Sequence, residues 1–211
     1  MSRITVMDVL SKEALVQAWV RRRLGGLGHE TQVARLAGLL FDLTQRWHGL
    51  GKSERKLLTL AAWMHDVGRV VDDDGHEEHG AELIMNAASL PLGETERRRI
   101  AFLTRYHRGR LPEASDLEFL DERRGDEVRT LHVLLGLLRA ADGLDRRSME
   151  PPQLVVTLRG RILRICGYVE GDVETARAKY GQKKKMRLLE ETLECEVRTE
   201  WLRSEAVALV A

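Results

Sequence analysis

Six side chains in this sequence have types and spacings that suit a divalent cation. They are His29, the adjacent His65 and Asp66, His79, His107 and Asp142. Each lies on, or at the end of, the apolar face of its own helix. A lone imidazole or carboxylate placed there would be costly. A divalent metal relieves that cost by taking neutral imidazole and ionised carboxylate as ligands. The His65-Asp66 dipeptide alone is equally consistent with a buried hydrogen-bonded pair. Five helices that each turn a metal-compatible group inward are harder to produce by accident. The other three histidines provide a contrast. His48 and His76 fall beside glycine turns, and His132 lies off the Leu131-Leu135-Leu138 stripe, so all three read as surface or loop residues.

The elements that must position these groups can be read in order. Ser11 is a candidate N-cap for a first helix running to Leu24, which Gly25-Gly26-Leu27-Gly28 breaks. A second helix spans about His29 to Trp47, with Val33, Leu36, Ala37 and Leu40 on one face. His29 precedes Val33 by four residues and shares that face. Ser53 can cap a third helix whose stretch Leu57 to Met64 is apolar on nearly every side, which is the pattern of a core helix. Gly68 is placed to end it in a left-handed cap. The acidic stretch Val71 to Gly75 lacks the alternating ligands and closing glutamate of a calcium loop and reads as a solvated turn.

Further helices are expected over His76 to Ala88, Glu94 to His107 and Glu127 to Asp145. A loop over Arg108 to Asp126 carries a turn of helix near Leu117 to Leu120. In the last long helix, Val128, Leu131, Leu135, Leu138 and Asp142 form one stripe, so the aspartate faces inward. After Pro151-Pro152 the pattern changes. Two strands flank Arg159-Gly160-Arg161 as a hairpin, a helix covers Val173 to about Glu191, and a third strand follows over Thr192 to Trp201. The fold expected is α+β and mainly α: a helical bundle over residues 1–150 and a small C-terminal β-β-α-β appendix over 151–211.

Composition narrows the class. The 211 residues are 43% hydrophobic but only 5% aromatic, which suits a Leu- and Ala-rich helical core. Lys and Arg (34) nearly cancel Asp and Glu (33), so net charge gives no reason to expect nucleic acid or an anionic membrane. Cys166 and Cys195 stand far apart without metal-binding spacing and read as thiols in a reducing compartment. There is no apolar run of about 20 residues and no secretory pattern at the N-terminus. A soluble cytoplasmic protein is the simplest expectation.

The order of His29, His65-Asp66, His79, His107 and Asp142 resembles the HD superfamily of metal-dependent phosphohydrolases. More narrowly, several stretches are similar to the C-terminal HD domain of the exopolyphosphatase and guanosine-pentaphosphate phosphohydrolase (Ppx/GppA) family. They are His29 to Leu36 with Leu40-Phe41-Asp42, Ala61 to Arg69, His79 to Ile84, Arg105 to Arg108, and Leu138 to Arg146. In that family the actin-like domains carry the polyphosphate-cleaving site. They have no counterpart in these residues, so exopolyphosphatase activity is not implied and a stand-alone HD protein is expected. HD portions of the larger relatives often lack ligands, whereas the full set is present here.

By this resemblance His29, His65, Asp66 and Asp142 hold a first metal. His79 and His107 hold a second, with Asp66 bridging. Mixed imidazole and carboxylate ligation suits Mn²⁺, Fe²⁺, Ni²⁺ or Mg²⁺ better than structural zinc. The implied reaction is attack of a metal-activated water on phosphorus. Asp66, Arg69 and Asp145 are the catalytic candidates, with Asp145 able to orient water or a ligand histidine. Arg69, Arg105, Arg108, Arg139 and Arg146 are candidate phosphate clamps, since they lie within a turn of the ligands. Lys183-Lys184-Lys185 reads as a solvated face able to extend a polyanion track. The substrate expected is a nucleotide, an alarmone or a short polyphosphate. A non-catalytic nucleotide- or polyphosphate-binding regulatory module is the alternative. No membrane or specific nucleic-acid partner is expected, and the resemblance makes a homodimer plausible.

Overall fold

A computed structural model describes residues 11–120, 125–147, 149 and 151–204. Six helices, α1 (Lys12–Leu24), α2 (Gly28–His48), α3 (Lys52–Met64), α4 (His76–Met85), α5 (Glu94–Tyr106) and α6 (Gly125–Gly143), form the helical body. A three-stranded sheet and two further helices complete the fold: β1 (Gln153–Arg159), β2 (Ile162–Val169), α7 (Val173–Lys179), α8 (Lys183–Leu193) and β3 (Glu196–Arg203). The mainly helical α+β class expected from the sequence is the one observed. None of the described helices is long and apolar enough to cross a membrane.

The local signals mostly act as read. The Ser11 hydroxyl accepts the Ala14 amide at 3.2 Å. Gly25 and Gly49 close α1 and α2 in the left-handed conformation, with φ of 75° and 69°. Three readings change. Gly51, not Ser53, caps α3, and its amide donates to the Glu54 carboxylate at 2.8 Å. Gly68 is not a left-handed cap. It lies in a 3-10 turn (Val67–Val70), and a Cβ there would overlap the His76 carbonyl, so it is a glycine because α4 crosses directly above it. The helix expected over Val173 to Glu191 is two helices. Gly181, with φ of 57°, breaks it, and a Cβ there would press on Thr199 and Trp201.

The sheet order is β1-β2-β3. β1 and β2 pair antiparallel across a tight turn, with Arg159 opposite Ile162. β2 and β3 pair parallel, with Ile162 opposite Glu196. A parallel pair needs a long crossover, and α7 with α8 supplies it. Helix α8 packs along α6, where Gly136 and Gly143 have no side chain in the way. A Cβ at Gly136 would come within 3.0 Å of the Leu189 backbone, and one at Gly143 within 2.8 Å of Lys185 Cβ. One continuous buried cluster runs from Val16 through Leu58, Leu103 and Leu135 to Leu189 and Trp201.

Candidate metal centre

The metal-compatible side chains come from helix ends, where backbones can approach one another closely. His29 is the second residue of α2. His65 and His107 are the residues that close α3 and α5, and Asp66 follows His65. His76 opens α4. Asp142 is the penultimate residue of α6. Two groups share Asp66: His29, His65 and Asp66, and Asp66, His76 and His107. The side chains of all five are buried, that of His29 being 5% exposed.

The inner nitrogens converge. His29 Nε2 lies 3.3 Å from His65 Nε2, and His76 Nε2 lies 3.4 Å from His107 Nε2. Asp66 Oδ1 sits 3.5 Å from His65, 3.0 Å from His76 and 3.4 Å from His107, each measured to Nε2. Its other oxygen is 3.7 Å from His29 Nε2. Asp142 Oδ1 is 3.4 Å from His29 Nε2 and 3.7 Å from His65 Nε2.

The outer nitrogens are anchored, and this sets which ring nitrogen carries the proton. His65 Nδ1 donates to the Ala62 carbonyl at 2.7 Å, His76 Nδ1 to that of Asp73 at 2.8 Å, and His107 Nδ1 to that of Thr104 at 2.6 Å. All three reach back three residues. For His65 and His107 the acceptor is a carbonyl that the helix end leaves unpaired. Arg108 Nη1 also approaches His76 Nδ1, at 3.1 Å, and the shorter carbonyl contact takes the proton. His29 Nδ1 is held by Asp145 Oδ2 at 2.6 Å. A ring anchored through Nδ1–H presents an unprotonated Nε2, the tautomer that binds metal.

The charges fit the same reading. Burial pushes the His107 imidazole down to about 4, so it is neutral near pH 7. Burial also works against charge on His29, but Asp142, Asp145 and Asp66 outweigh it and raise His29 to about 9. Without an ion, His29 therefore holds a second proton. Burial opposes ionisation of both aspartates, yet the facing histidines hold Asp66 well below the usual carboxylate range. Lys185, ahead of His29 and His65, does the same for Asp142. The His76–His107–Asp66 group in particular brings two imidazole nitrogens and a carboxylate oxygen within 3.4 Å of one another. Such a group calls for a cation, and both clusters could hold a metal ion.

Residues 27–208 match the family model described as Ppx/GppA phosphatase, domain III. The chain belongs to that family. Membership points to a phosphatase-related function, and the described residues of this Ppx/GppA-family chain supply a pocket suited to anions. A cavity of about 710 Å³ opens beside Asp66, His76, His107 and Asp142. Arg69, Arg108, Arg139, Arg146, Lys179, Lys184 and Lys185 line it.

The sequence-predicted residues sort unevenly. His29, His65, Asp66, His107 and Asp142 come together. His79 does not: it is half-buried one position short of a full turn beyond His76, and it belongs to neither metal-compatible group. His76, read as a loop residue, is buried instead, with Nε2 3.0 Å from Asp66 Oδ1. His48, also read as exposed, is buried at the end of α2, where Nε2 donates to the Phe41 carbonyl at 3.0 Å and Nδ1 accepts the Leu50 amide at 2.9 Å.

Asp145 orients His29, one of its two expected roles. Arg69 Nε bonds Asp66 Oδ2 at 2.8 Å and also pairs with Asp73. Arg139 lines the cavity, but its guanidinium is committed to the carbonyls of Tyr106 at 2.6 Å and Gly109 at 3.0 Å. Arg146 lines the cavity while binding the Lys179 carbonyl at the end of α7. Arg105 pairs with Glu78 and lines a separate apolar cavity of about 420 Å³. Its neighbourhood in sequence to His107 did not put it on the same side of α5. Arg147 and Glu30 give no signal in the sequence, and Lys185 reads there as part of a solvated face. Arg147 bonds Asp66 Oδ2 at 2.9 Å and pairs with Glu30, a carboxylate fully buried beside His29. Lys185 is buried against Asp142.

Proposed function

We propose that this chain is a divalent-metal-dependent phosphohydrolase of the HD type, acting on a phosphoester or phosphoanhydride. The observation that carries the reading is the convergence of four imidazole Nε2 atoms and two carboxylates, with every Nδ1 anchored from behind. His29, His65, Asp66 and Asp142 would hold one ion. Asp66, His76 and His107 would hold another, so Asp66 serves both. A bound Mn²⁺, Fe²⁺, Ni²⁺ or Mg²⁺ supplies Lewis acidity and an acidified water.

The chain's own residues do the rest. Asp145 and the Ala62, Asp73 and Thr104 carbonyls fix the rings so that no reorientation is needed at the moment of reaction. Arg69, Arg108 and Arg146 face the cavity as partners for phosphate oxygens. Lys179 and Lys184 extend the positive wall away from the ligands. That length of wall favours a substrate with more than one phosphate, such as a nucleotide, an alarmone or a short polyphosphate.

The test is elemental analysis of protein purified without chelator or affinity-tag nickel, paired with phosphate release from a panel of such substrates. Wild type should carry one to two equivalents of transition metal and release phosphate. Asp66→Ala should lose both. Phosphate release that persists in Asp66→Ala would overturn the reading. Ligand-induced stabilisation without turnover in the metal-loaded wild type would identify a regulatory binding module instead.

A further inference from the structure

Lys185 lies on the first turn of α8, between β2 and β3 in the chain and outside the metal-compatible clusters. It is only 9% exposed. Two features of α6 bring it inward. Gly143 leaves room for its stem, and the Gly181 amide donates to the Gly143 carbonyl at 2.8 Å, fastening the start of α8 beside Asp142. Its Nζ pairs with Asp142 Oδ2 and lies 3.3 Å from the His107 carbonyl. The two oxygens of Asp142 therefore face different ways: Oδ1 toward His29 and His65, Oδ2 onto the lysine.

We propose that Lys185 is a positioning residue that restricts Asp142 to one ligating oxygen and acts as a resident counter-cation of the metal centre. This rests on the metal reading above. A free aspartate can clasp a cation with both oxygens. With Oδ2 taken by an ammonium, only Oδ1 is available, and a coordination position is left for water or a phosphate oxygen. The lysine charge also repels a dication a few ångströms away. The residue thus trades metal affinity for an open site, which a group that merely supported the fold would not do.

The prediction therefore has a sign. Apo full-length wild type, Lys185→Met and Lys185→Gln are titrated with Mn²⁺ alone, and free Mn²⁺ is read by electron paramagnetic resonance. Lys185→Met should bind Mn²⁺ more tightly, by roughly tenfold, because one repelling charge is gone and Asp142 is free to chelate. Its melting temperature in chelator should fall, since a buried carboxylate loses its partner, and the gap to wild type should close with Mn²⁺. Lys185→Gln keeps a donor without the charge, and it decides the matter should the Met variant not fold. Unchanged or weaker binding in the folded variants overturns this inference alone. Absence of Mn²⁺ binding in wild type overturns the metal reading and this inference with it.

Discussion

His76 and His79 sit three residues apart on one helix, and only one of them reaches Asp66. His76, Gly80 and Ile84 are the buried residues of α4, spaced four apart. His79 falls on a neighbouring line with Leu83. That stripe is present in the sequence, but a glycine at its centre does not register as apolar, and a histidine after Asp72-Asp73-Asp74-Gly75 reads as part of the turn. Lys185 was hidden in a similar way. It stands four residues before Leu189 and eight before Leu193, both buried, yet Lys183 and Lys184 make the run look like a charged face. His29, His65, Asp66, His107 and Asp142 were legible because each continues a stripe of Leu, Val or Ala. His76→Ala should lower the Mn²⁺ stoichiometry by one equivalent, while His79→Ala should leave it unchanged. Metal counting by plasma mass spectrometry reads both, and the reverse result would restore His79 as the ligand.

The elements were legible where their ends carry local signals and illegible where tertiary contact decides. Ser11, Gly25 and Gly49 end their helices by chemistry confined to one turn. Gly68 is determined by α4, which the local sequence around residue 68 does not reveal. The same holds for Gly181, whose freedom is required by Thr199 and Trp201 on β3. The parallel pairing of β2 with β3 likewise follows only once α7 and α8 are seen as a crossover. Gly68 gives the sharpest prediction at this scale. Gly68→Ala must push α4 away from the 3-10 turn, and overpacking of this kind costs about 1–3 kcal/mol or more. It should lower the denaturation midpoint and, because His76 opens α4, weaken Mn²⁺ binding as well. A control such as Gly26→Ala, where a Cβ meets nothing within 4 Å, should do neither.

At the scale of the whole molecule, the buried charges make stability depend on pH in two directions. His29 titrates at about 9 in the metal-free fold against an ordinary 6.5. Its contribution is complete below 6.5 and is lost as pH rises toward 9. His107 titrates at about 4, so below 6.5 the unfolded chain takes a proton that the fold refuses, and stability falls toward pH 4. Asp66 and Asp142, both depressed, add to that acid limb at lower pH. Metal-free protein should therefore melt highest near neutrality, and Mn²⁺ affinity should climb between about pH 6.5 and 9 as His29 gives up its second proton. Melting curves in chelator and Mn²⁺ titrations across that range check both trends. The contact between α6 and α8 has another consequence, one of timing. Asp142 and its partner lysine are 43 residues apart. At roughly 5–20 residues per second of synthesis, Lys185 follows the last candidate ligand, Asp142, by about two to nine seconds. If Asp142 ligates as proposed, the growing chain would meet a metal in that interval with both carboxylate oxygens free and would hold it more tightly than the finished protein.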